Sequence, residues 1–314
     1  MTTLKPFDAS EMLAIREARD GERLLDVSEN EFIDTYKRRG AILFRGFNPE
    51  LDDFRALTTR YCSSSVFNES TGRTVLDRQH DIQTVNLGNE AFPLHPELSR
   101  EPWKPDVCFF WCSGAPSRGG ETTICDGVEI VKRLPTSAYD ALRNRRLLYS
   151  LPALPSVCQY WLGSANPSDE LINNPPASCP YTFTRTPKGV WRHYSVAALH
   201  KPMFTDGLAF GNFLLFSRYL TGNRNFPTFE NGEIIPDDLA HEIKTTSDAI
   251  TLPVQWQPGD VVVLDNTRFM HGRNAILEVA ERHIATFFGF LKFAKPGDEE
   301  IPNPPWRRAG FVTP

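Results

Sequence analysis

Helical spacing of apolar residues near the N-terminus predicts two amphipathic helices. In residues 27–40, VSENEFIDTYKRRG, Ser28 is followed three residues later by a glutamate, which is the pattern of a capping box, and Gly40 is placed to end the helix. In residues 48–62, NPELDDFRALTTRYC, apolar residues again recur at helical spacing. Asn48 is the predicted N-cap of this helix, and a proline occupies its first turn.

Short apolar runs bounded by glycine and proline predict the strands of a sheet. These runs are AILFRGF (41–47), VCFFWC (107–112), TTICDG (122–127), LPVQW (252–256), VVVLDN (261–266) and HIATFFGFLKFA (283–294). The sequence QPGD joins the fourth run to the fifth, and Pro258 and Gly259 suit a type II turn, so we expect a hairpin there. Two further helices are predicted at 135–146 and 236–250.

Three segments lack a regular period. Residues 63–90 are polar, and the proline-rich tail after residue 294 is expected to pack on the surface. Residues 150–235 are rich in Pro, Asn, Gly and aromatic side chains. A loop of that length is usually functional or disordered, and its aromatic residues argue against disorder. We therefore interpret 150–235 as a folded insert that covers another part of the molecule.

These elements predict an α+β fold class with a mainly β core. Short strands joined by Gly and Pro turns, with helices concentrated early in the chain, suggest a jelly-roll barrel with flanking helices. A length of 314 residues allows one large domain or two ordinary ones. We expect a single domain over residues 1–314, with the insert at about 150–235 as its lid.

Composition and charge limit the kinds of binding partner that we expect for this protein. The chain is 40% hydrophobic and 23% charged, as is usual for a globular protein, and its net charge of −5 gives no reason to expect nucleic acid or an anionic membrane. The first ten residues have no apolar signal region, and no run of 18 uncharged apolar residues occurs, so a cytoplasmic location is expected. The six cysteines form no CxxC pair and are expected to be free thiols.

The stretch FPLHPELSR (92–100) contains the first candidate chemistry. His95 and Glu97 are two residues apart, so in an extended segment their side chains point to the same side and can chelate one ion. Pro96 favours the extended conformation. Taken alone, this stretch is better explained as a solvated polar loop than as a metal site.

Two later stretches contain the residues that would complete such a site. DNTRFMHGR (265–273) follows the predicted hairpin, which puts His271 at or just past the end of a strand. Arg282 opens the last apolar strand, and strand alternation puts it on the face opposite its neighbour His283. An arginine side chain that points into the core needs an anionic partner. The alternative is that Arg282 points outward and forms an ion pair on the surface.

A third stretch, GGETT (119–123), offers hydroxyl groups. Its two glycines allow a tight turn, and Thr122 or Thr123 lies at the start of the strand that follows. An ordinary hairpin turn is the alternative.

Together these stretches fit one chemistry. Two histidines and one carboxylate bound to one face of an ion leave open positions opposite, which is the facial triad of non-haem Fe(II) oxygenases. The open positions can take a bidentate 2-oxo acid and then O2. A threonine hydroxyl and an arginine at a distance can hold the far carboxylate of 2-oxoglutarate by charge-assisted hydrogen bonds.

The chain resembles the taurine dioxygenase/TfdA family of Fe(II)- and 2-oxoglutarate-dependent oxygenases. It is most similar to the branch with His-x-Glu in place of His-x-Asp, which includes clavaminate synthase and amino-acid hydroxylases. The motifs that carry the resemblance, in order, are GAILFRGF (40–47), LHPE (94–97), GGETTICDG (119–127), W-x-PGDVVVLDN-x-R-x-x-HGR (256–273) and Arg282. They cover most of the chain.

The resemblance implies roles for five residues. It assigns iron binding to His95, Glu97 and His271, and 2-oxoglutarate binding to Thr122 and Arg282. It also implies a double-stranded β-helix fold. Because related halogenases have a small residue in place of the carboxylate, it further implies oxygenation rather than halogenation, with succinate and CO2 as coproducts.

The substrate is only loosely indicated. Four polar residues near the predicted site are candidate contacts: Gln83, Asn86, Arg192 and Arg268. The His-x-Glu branch favours a small polar metabolite, such as an amino acid or a secondary metabolite derived from one. Hydroxylation of an unactivated C–H bond, desaturation and oxidative cyclisation share the same cofactors, and the sequence does not separate them. It also gives no sign of the oligomeric state.

Two other functions were considered. A zinc hydrolase would place two histidines on a helix as HExxH, and no such string occurs in the chain. A barrel that binds a small ligand without catalysis is the other alternative, and the full set of five expected residues argues against it.

Overall fold

The computed structural model describes residues 8–86 and 88–314. The helices are α1 (Ala9–Met12), α2 (Glu29–Arg39), α3 (Leu51–Tyr61), α4 (Gly127–Arg133), α5 (Thr136–Leu142), α6 (Pro155–Leu162), α7 (Asp169–Asn173), α8 (Leu214–Phe216) and α9 (Asp237–Asp248). Residues 1–7, on which part of the expectation about a secretory signal rests, lie outside the described residues. Within the described ranges, no helix is long and apolar enough to cross a membrane.

The strands are β1 (Ala14–Glu17), β2 (Ala41–Arg45), β3 (Cys62–Ser65), β4 (Val75–Asp77), β5 (Ile82–Thr84), β6 (Phe92–His95), β7 (Val107–Gly114), β8 (Thr122–Asp126), β9 (Arg146–Pro152), β10 (Thr182–Thr186), β11 (Gly189–Ala197), β12 (Thr228–Phe229), β13 (Leu252–Val254), β14 (Val261–Asp265), β15 (Phe269–Arg273) and β16 (His283–Leu291). Each of the six apolar runs predicted as strands overlaps one of these strands, and β7 extends two residues beyond its run.

Two sheets enclose the main core. The larger has the order β1-β2-β14-β7-β16-β5-β4, with β3 also paired to β16, and the smaller has the order β13-β8-β15-β6. Phe110, Val262 and Phe288 of the larger sheet share one buried cluster with Ile124 and Phe269 of the smaller. The molecule is therefore a mixed α+β, sheet-rich structure, as the apolar runs predicted.

The N-terminal helices cover the outer face of the larger sheet. Phe32 of α2 and Phe54 of α3 pack in a second cluster with Phe44 of β2. The predicted α2 is confirmed, with Ser28 accepting from the backbone of the third residue of the helix and Gly40 in the left-handed conformation at its end.

The predicted start of α3 is wrong by two residues. Asn48 has a φ of 46°, which is a left-handed turn conformation and not that of an N-cap. Glu50 is the N-cap, and its backbone N–H is bound by the side chain of Asp53. The helix therefore begins after the proline rather than around it.

The predicted hairpin around QPGD is also wrong. The turn itself forms, with Gly259 at φ +87° and the N–H of Asp260 donating to the carbonyl of Gln257. However, β13 pairs with β8 in the smaller sheet, whereas β14 pairs with β2 and β7 in the larger. Strands β7 and β8 are likewise in different sheets, so GGETT is not a hairpin turn. Both connections carry the chain from one side of the core to the other.

Residues 150–235 are folded, as expected. They contain α6, α7, β10 and β11, and the third sheet has the order β10-β11-β9-β12. Trp161, Tyr181 and Phe183 join the main core cluster, which fixes the insert to the two large sheets. The helix predicted over 135–146 is shorter, because the chain turns at a left-handed Asn144 and enters β9.

The tail is more deeply anchored than predicted. Trp306 is 2% exposed, and Arg307 makes two hydrogen bonds of 2.8 and 2.9 Å to the buried carboxylate of Asp106. The six cysteines are free, as expected, and five of them are buried.

Candidate metal centre

Strand pairing brings the two candidate histidines together. His271, in the middle of β15 rather than at its end, lies directly opposite His95 at the end of β6, and their ring centroids are 4.6 Å apart. Glu97 follows in the turn after β6. Asn266 fixes this turn, since its side-chain oxygen accepts from the N–H of Glu97 and its amide donates to the Glu97 carbonyl.

The three side chains form a compact donor set. One ligand atom from each of His95, Glu97 and His271 lies within 4.8 Å of the others, and all three residues are at most 9% exposed. Nδ1 of His95 is 2.8 Å from the carbonyl of Pro93, so it carries the proton and leaves Nε2 free to bind a metal. Two imidazole nitrogens and one carboxylate suit ferrous iron with open positions.

The protonation states also suit metal binding. Burial, reinforced by the nearby His271, lowers the pKa of His95 to about 3. Burial alone would raise the pKa of Glu97, but the charge of Arg73 and the hydrogen bond from His271 hold that pKa well below its usual value. At neutral pH the imidazole of His95 is neutral and the carboxylate is charged, as a metal ligand requires.

Two residues that the sequence did not indicate contact the carboxylate. The side-chain amide of Asn68 donates to Oε1 of Glu97 over 2.6 Å, and Nη2 of Arg73 is 3.4 Å from Oε2. Both residues lie in the polar segment 63–90. They orient the longer glutamate from the side of the cavity.

Thr122 and Arg282 form a second polar group. Both are buried, and Nη2 of Arg282 is 3.4 Å from Oγ1 of Thr122. Nε1 of Trp256 donates to the same hydroxyl over 3.1 Å. Because the Thr122 oxygen accepts from two donors, its own hydrogen is directed to a further acceptor. Thr123, the less favoured candidate, does not line the cavity.

Arg282 is a buried cation that needs an anion. Its Nε donates to the carbonyl of Gly120 over 2.7 Å, and no carboxylate of the described residues lies within 4.0 Å of it. Burial, followed by the charge of Arg273, lowers the pKa of Arg282 to about 10. His283 is exposed, on the opposite face, as alternation predicted. The arrangement fits the far carboxylate of a 2-oxo acid.

All five residues line one cavity of about 320 Å³. The cavity wall carries four guanidinium groups, from Arg73, Arg100, Arg273 and Arg282, but only one carboxylate, that of Glu97. Its apolar part includes the rings of Phe92, Phe110, Phe213 and Phe216, the last two from the insert. The cavity therefore combines a positive charge with an aromatic surface.

Of the four residues predicted to contact the substrate, one lines the cavity and one supports its wall. Asn86 lines the cavity and accepts from Ser70. Gln83 is buried and binds the backbone of Asn68, so it supports the cavity wall from behind.

The two predicted arginines have carboxylate partners elsewhere. Arg192 forms two hydrogen bonds to Glu101, and Arg268 binds Asp126. Neither lines the cavity. Their charges are already balanced by these pairs.

The donor set and the unbalanced arginine, held between two sheets, define the class of the protein: a dioxygenase that depends on Fe(II) and 2-oxoglutarate, with O2 as cosubstrate. The model of the family described as taurine catabolism dioxygenase TauD, TfdA family, matches residues 5–287. The chain belongs to this family.

Three known proteins illustrate what the chain is similar to. A clavaminate synthase-like protein from Arabidopsis thaliana is 23% identical over 270 residues, which is 74% of this chain and 77% of that protein. A 3-((Z)-2-isocyanoethenyl)-1H-indole synthase from Fischerella ambigua is 22% identical over 246 residues, 77% of this chain and 79% of that one. The crystal structure of PvcB from Pseudomonas aeruginosa superposes with a TM-score of 0.59 at 14% identity, over 90% of this chain and 88% of that one.

Proposed function

We propose that this oxygenase hydroxylates an unactivated C–H bond of a small metabolite that carries an anionic group, such as an amino acid or a compound derived from one. The observation that carries the proposal is the charge of the cavity wall, with four arginines and one carboxylate. Iron and 2-oxoglutarate have equal and opposite charges, so they leave the excess of guanidinium charge unchanged. A substrate carboxylate would offset it.

In this proposal His95, Glu97 and His271 hold Fe(II), while Thr122 and Arg282 hold the far carboxylate of 2-oxoglutarate. With Fe(II) and 2-oxoglutarate bound, the chemistry supplied would be oxidation by O2: one oxygen atom would replace C–H by C–OH, and the other would enter succinate as 2-oxoglutarate loses CO2. The chain positions one C–H bond and excludes water, a task that the rings of Phe213 and Phe216 perform at the cavity. Glu97 fills the ligand position that a halide would need, which favours oxygenation.

Arg100 is the best candidate to bind the substrate anion. It lines the cavity, and among the described residues it has no hydrogen bond or ion pair, with only the ring of Phe213 beneath its guanidinium group at 5.0 Å. Its donors are therefore available to a carboxylate, and the ring below offers a surface for an apolar substrate body. Asn86 offers a further polar contact.

The proposed function also implies how the sheets and the insert are arranged around the site. The two sheets that enclose the core correspond to the double-stranded β-helix expected of the family, within a single domain. The insert over about 150–235 acts as the lid, because two of its phenylalanines line the cavity and its aromatic residues pack on the main core.

Desaturation is the second candidate reaction. It is supported by the name of the Fischerella relative, which describes formation of an isocyanoethenyl group and thus of a product with a C=C bond. The same cofactors and cavity serve either outcome. Analysis of the product by mass distinguishes them, because hydroxylation adds one oxygen and desaturation removes two hydrogens.

The proposal is tested with protein reconstituted anaerobically with Fe(II) and 2-oxoglutarate. We expect the visible charge-transfer band of chelated 2-oxoglutarate, and its loss in His95→Ala and His271→Ala. Carboxylates from a metabolite set should then accelerate succinate formation, whereas their matched primary amides should not. Arg100→Gln should raise the KM for the active carboxylate at least tenfold with the band intact. Equal activity on acids and amides would refute the anionic substrate, and absence of the band would refute the iron assignment.

A further inference from the structure

A second cavity, of about 540 Å³, lies between the segment that follows Glu97, strand β11 and the C-terminal tail. It shares no lining residue with the metal cavity. Its wall is partly apolar, with Val196, Leu199, Met203 and Trp306 among its lining residues. It is larger than the metal cavity, and nothing in the proposed reaction uses it.

The desolvated cation of this wall, Lys104, has no carboxylate partner among the described residues. Lys104 lines the cavity, and the contact of its ammonium group is a long hydrogen bond of 3.5 Å to the carbonyl of Gly211. No carboxylate of the described residues lies within 4.0 Å of it, although Asp265 and Asp106 exert a weaker attraction. Burial lowers the pKa of Lys104 to about 8, which shows how little solvation the ammonium group has.

The buried acidic groups of the same wall are already paired. Glu101 binds Arg192 at 2.7 Å, and Asp106 binds Arg307 at 2.8 Å. They are therefore not partners for Lys104. A partly desolvated ammonium group beside a cavity, with its neighbouring carboxylates engaged elsewhere, is stabilised by an anion from outside the chain.

A second observation comes from Ser99. This residue also lines the cavity, is 5% exposed, and its hydroxyl has no hydrogen-bond partner among the described residues. Unsatisfied buried hydroxyl groups are uncommon in folded proteins. A ligand that brings an acceptor to this wall would satisfy it.

We propose that this cavity is a second small-molecule site, which binds a monocarboxylate with an apolar body through Lys104. Lys104 is the desolvated ammonium group of this wall and matches one negative charge, since the other lining lysines, Lys201 and Lys295, are exposed to solvent. The apolar wall matches an uncharged body. Ser99 and Lys104 both belong to the segment that continues from Glu97. Gly211, whose carbonyl Lys104 contacts, lies against His200 and Pro96, so the site adjoins the back of the metal-binding segment.

Phenylacetate is a suitable probe, with phenylacetamide as its neutral counterpart and inorganic phosphate as the alternative anion. Binding is measured by calorimetry under argon, on protein loaded with Fe(II) and 2-oxoglutarate. Because Arg100 of the metal cavity also attracts carboxylates, the measurements are repeated in Arg100→Gln. We expect phenylacetate to bind Arg100→Gln, and phenylacetamide and phosphate to bind at least tenfold more weakly.

Two variants locate the site. Lys104→Met should raise the Kd of phenylacetate at least tenfold, whereas Lys201→Met, which removes a lysine of the same rim paired with an exposed aspartate, should leave it unchanged. Met203→Trp, which fills the cavity and leaves the ammonium group in place, should also weaken binding. The charge-transfer band of each variant verifies that the protein is folded and loaded.

Three outcomes would overturn the proposal. The first is no binding of phenylacetate to either wild type or Arg100→Gln. The second is binding that Arg100→Gln abolishes and Lys104→Met leaves intact, which would place the probe in the metal cavity. The third is equal affinity for phenylacetate and phenylacetamide.

Discussion

The side-chain amide of Asn68 donates to the carboxylate of Glu97 over 2.6 Å, across 29 residues of sequence. This bond holds one carboxylate oxygen and leaves the other, 3.7 Å from His271, directed at the histidine pair. A glutamate has one more rotatable bond than an aspartate, so a fixed donor limits the positions that its carboxylate can take. The proposed metal affinity therefore depends on a residue that does not itself belong to the donor set.

Replacing Asn68 by alanine should lower the affinity for the metal roughly 10- to 100-fold, as loss of a partner to a ligating side chain usually does. The affinity is measured by competition of Co(II) with a chelating dye, which does not require turnover. Ser178→Ala, a change at an exposed residue of the insert, serves as control. An unchanged Co(II) affinity in Asn68→Ala would show that Glu97 is oriented without this bond.

Trp256→Phe should weaken 2-oxoglutarate binding about 3- to 10-fold, the usual effect of losing one hydrogen bond. The ring packing is largely retained, but the Thr122 hydroxyl loses the indole donor that fixes it. Trp111→Phe is the matched control, since the N–H of Trp111 is buried without a partner. Titration of the charge-transfer band gives both affinities, and equal values for the two variants would contradict the role of Trp256.

Gly120→Ala should displace Arg282. A Cβ at this glycine would lie 2.9 Å from Cδ of Arg282, and its φ of +71° disfavours alanine. Gly163→Ala has nearly the same φ, +74°, with no atom within 4 Å of the added carbon. Both variants should lose about 1–2 kcal/mol of stability from the backbone conformation.

These two glycine variants should differ in ligand binding. Only Gly120→Ala should weaken 2-oxoglutarate binding, and Co(II) affinity should be unchanged in both. If Gly163→Ala weakens 2-oxoglutarate binding equally, the effect arises from backbone strain and not from Arg282.

The five residues expected at the site could be recognised because they belong to short motifs that follow one another in a characteristic order along the chain. Asn68 and Arg73 could not be, because their segment has no period. Its position is set by contacts with distant strands, such as the hydrogen bond from Val66 to the carbonyl of Phe288. A side chain held only by tertiary contacts leaves no local pattern in the sequence.

The prediction of a hairpin around QPGD was wrong for a related reason. The QPGD turn has the residues that a hairpin uses, but the same turn also connects strands of opposite sheets. Burial decides which sheet the strand joins. All five residues of β14 are buried between neighbours on both sides, so β14 pairs inside the larger sheet. Turn chemistry fixes the local conformation and not the partner of the strand.

Arg307→Met should destabilise the protein by about 3–5 kcal/mol, because it leaves the carboxylate of Asp106 buried without its partner. Arg308→Met, the exposed neighbour, should change stability by less than about 0.5 kcal/mol. Urea unfolding measures both. Similar values for the two variants would show that the tail does not stabilise the core.

Because of Asp265, the free energy of unfolding of the protein should fall as the pH rises from 4 to 6. Burial raises the pKa of Asp265 to about 6, above the value of 3.8 for a free side chain, so the folded state binds a proton more tightly than the unfolded state. Its stabilising effect is complete below pH 4 and is lost between pH 4 and 6, a difference on the order of 2–3 kcal/mol.

Asp265→Asn keeps an oxygen for the two Thr267 donors and does not titrate. The free energy of unfolding of Asp265→Asn, relative to that of wild type, should therefore increase from pH 4 to pH 6, whereas that of the exposed Asp298→Asn should not. A constant difference between Asp265→Asn and wild type over this range would exclude the effect.

His95 and His271 are direct cross-strand partners in β6 and β15. Side chains alternate between the faces of a sheet, so a slip of one residue between these strands would turn one histidine away from the other. A metal that requires both ligands would then bind correctly paired chains and not slipped ones. Binding of one iron by both histidines would thus favour the observed alignment of these two strands, which are 176 positions apart at the histidines, over a slipped one.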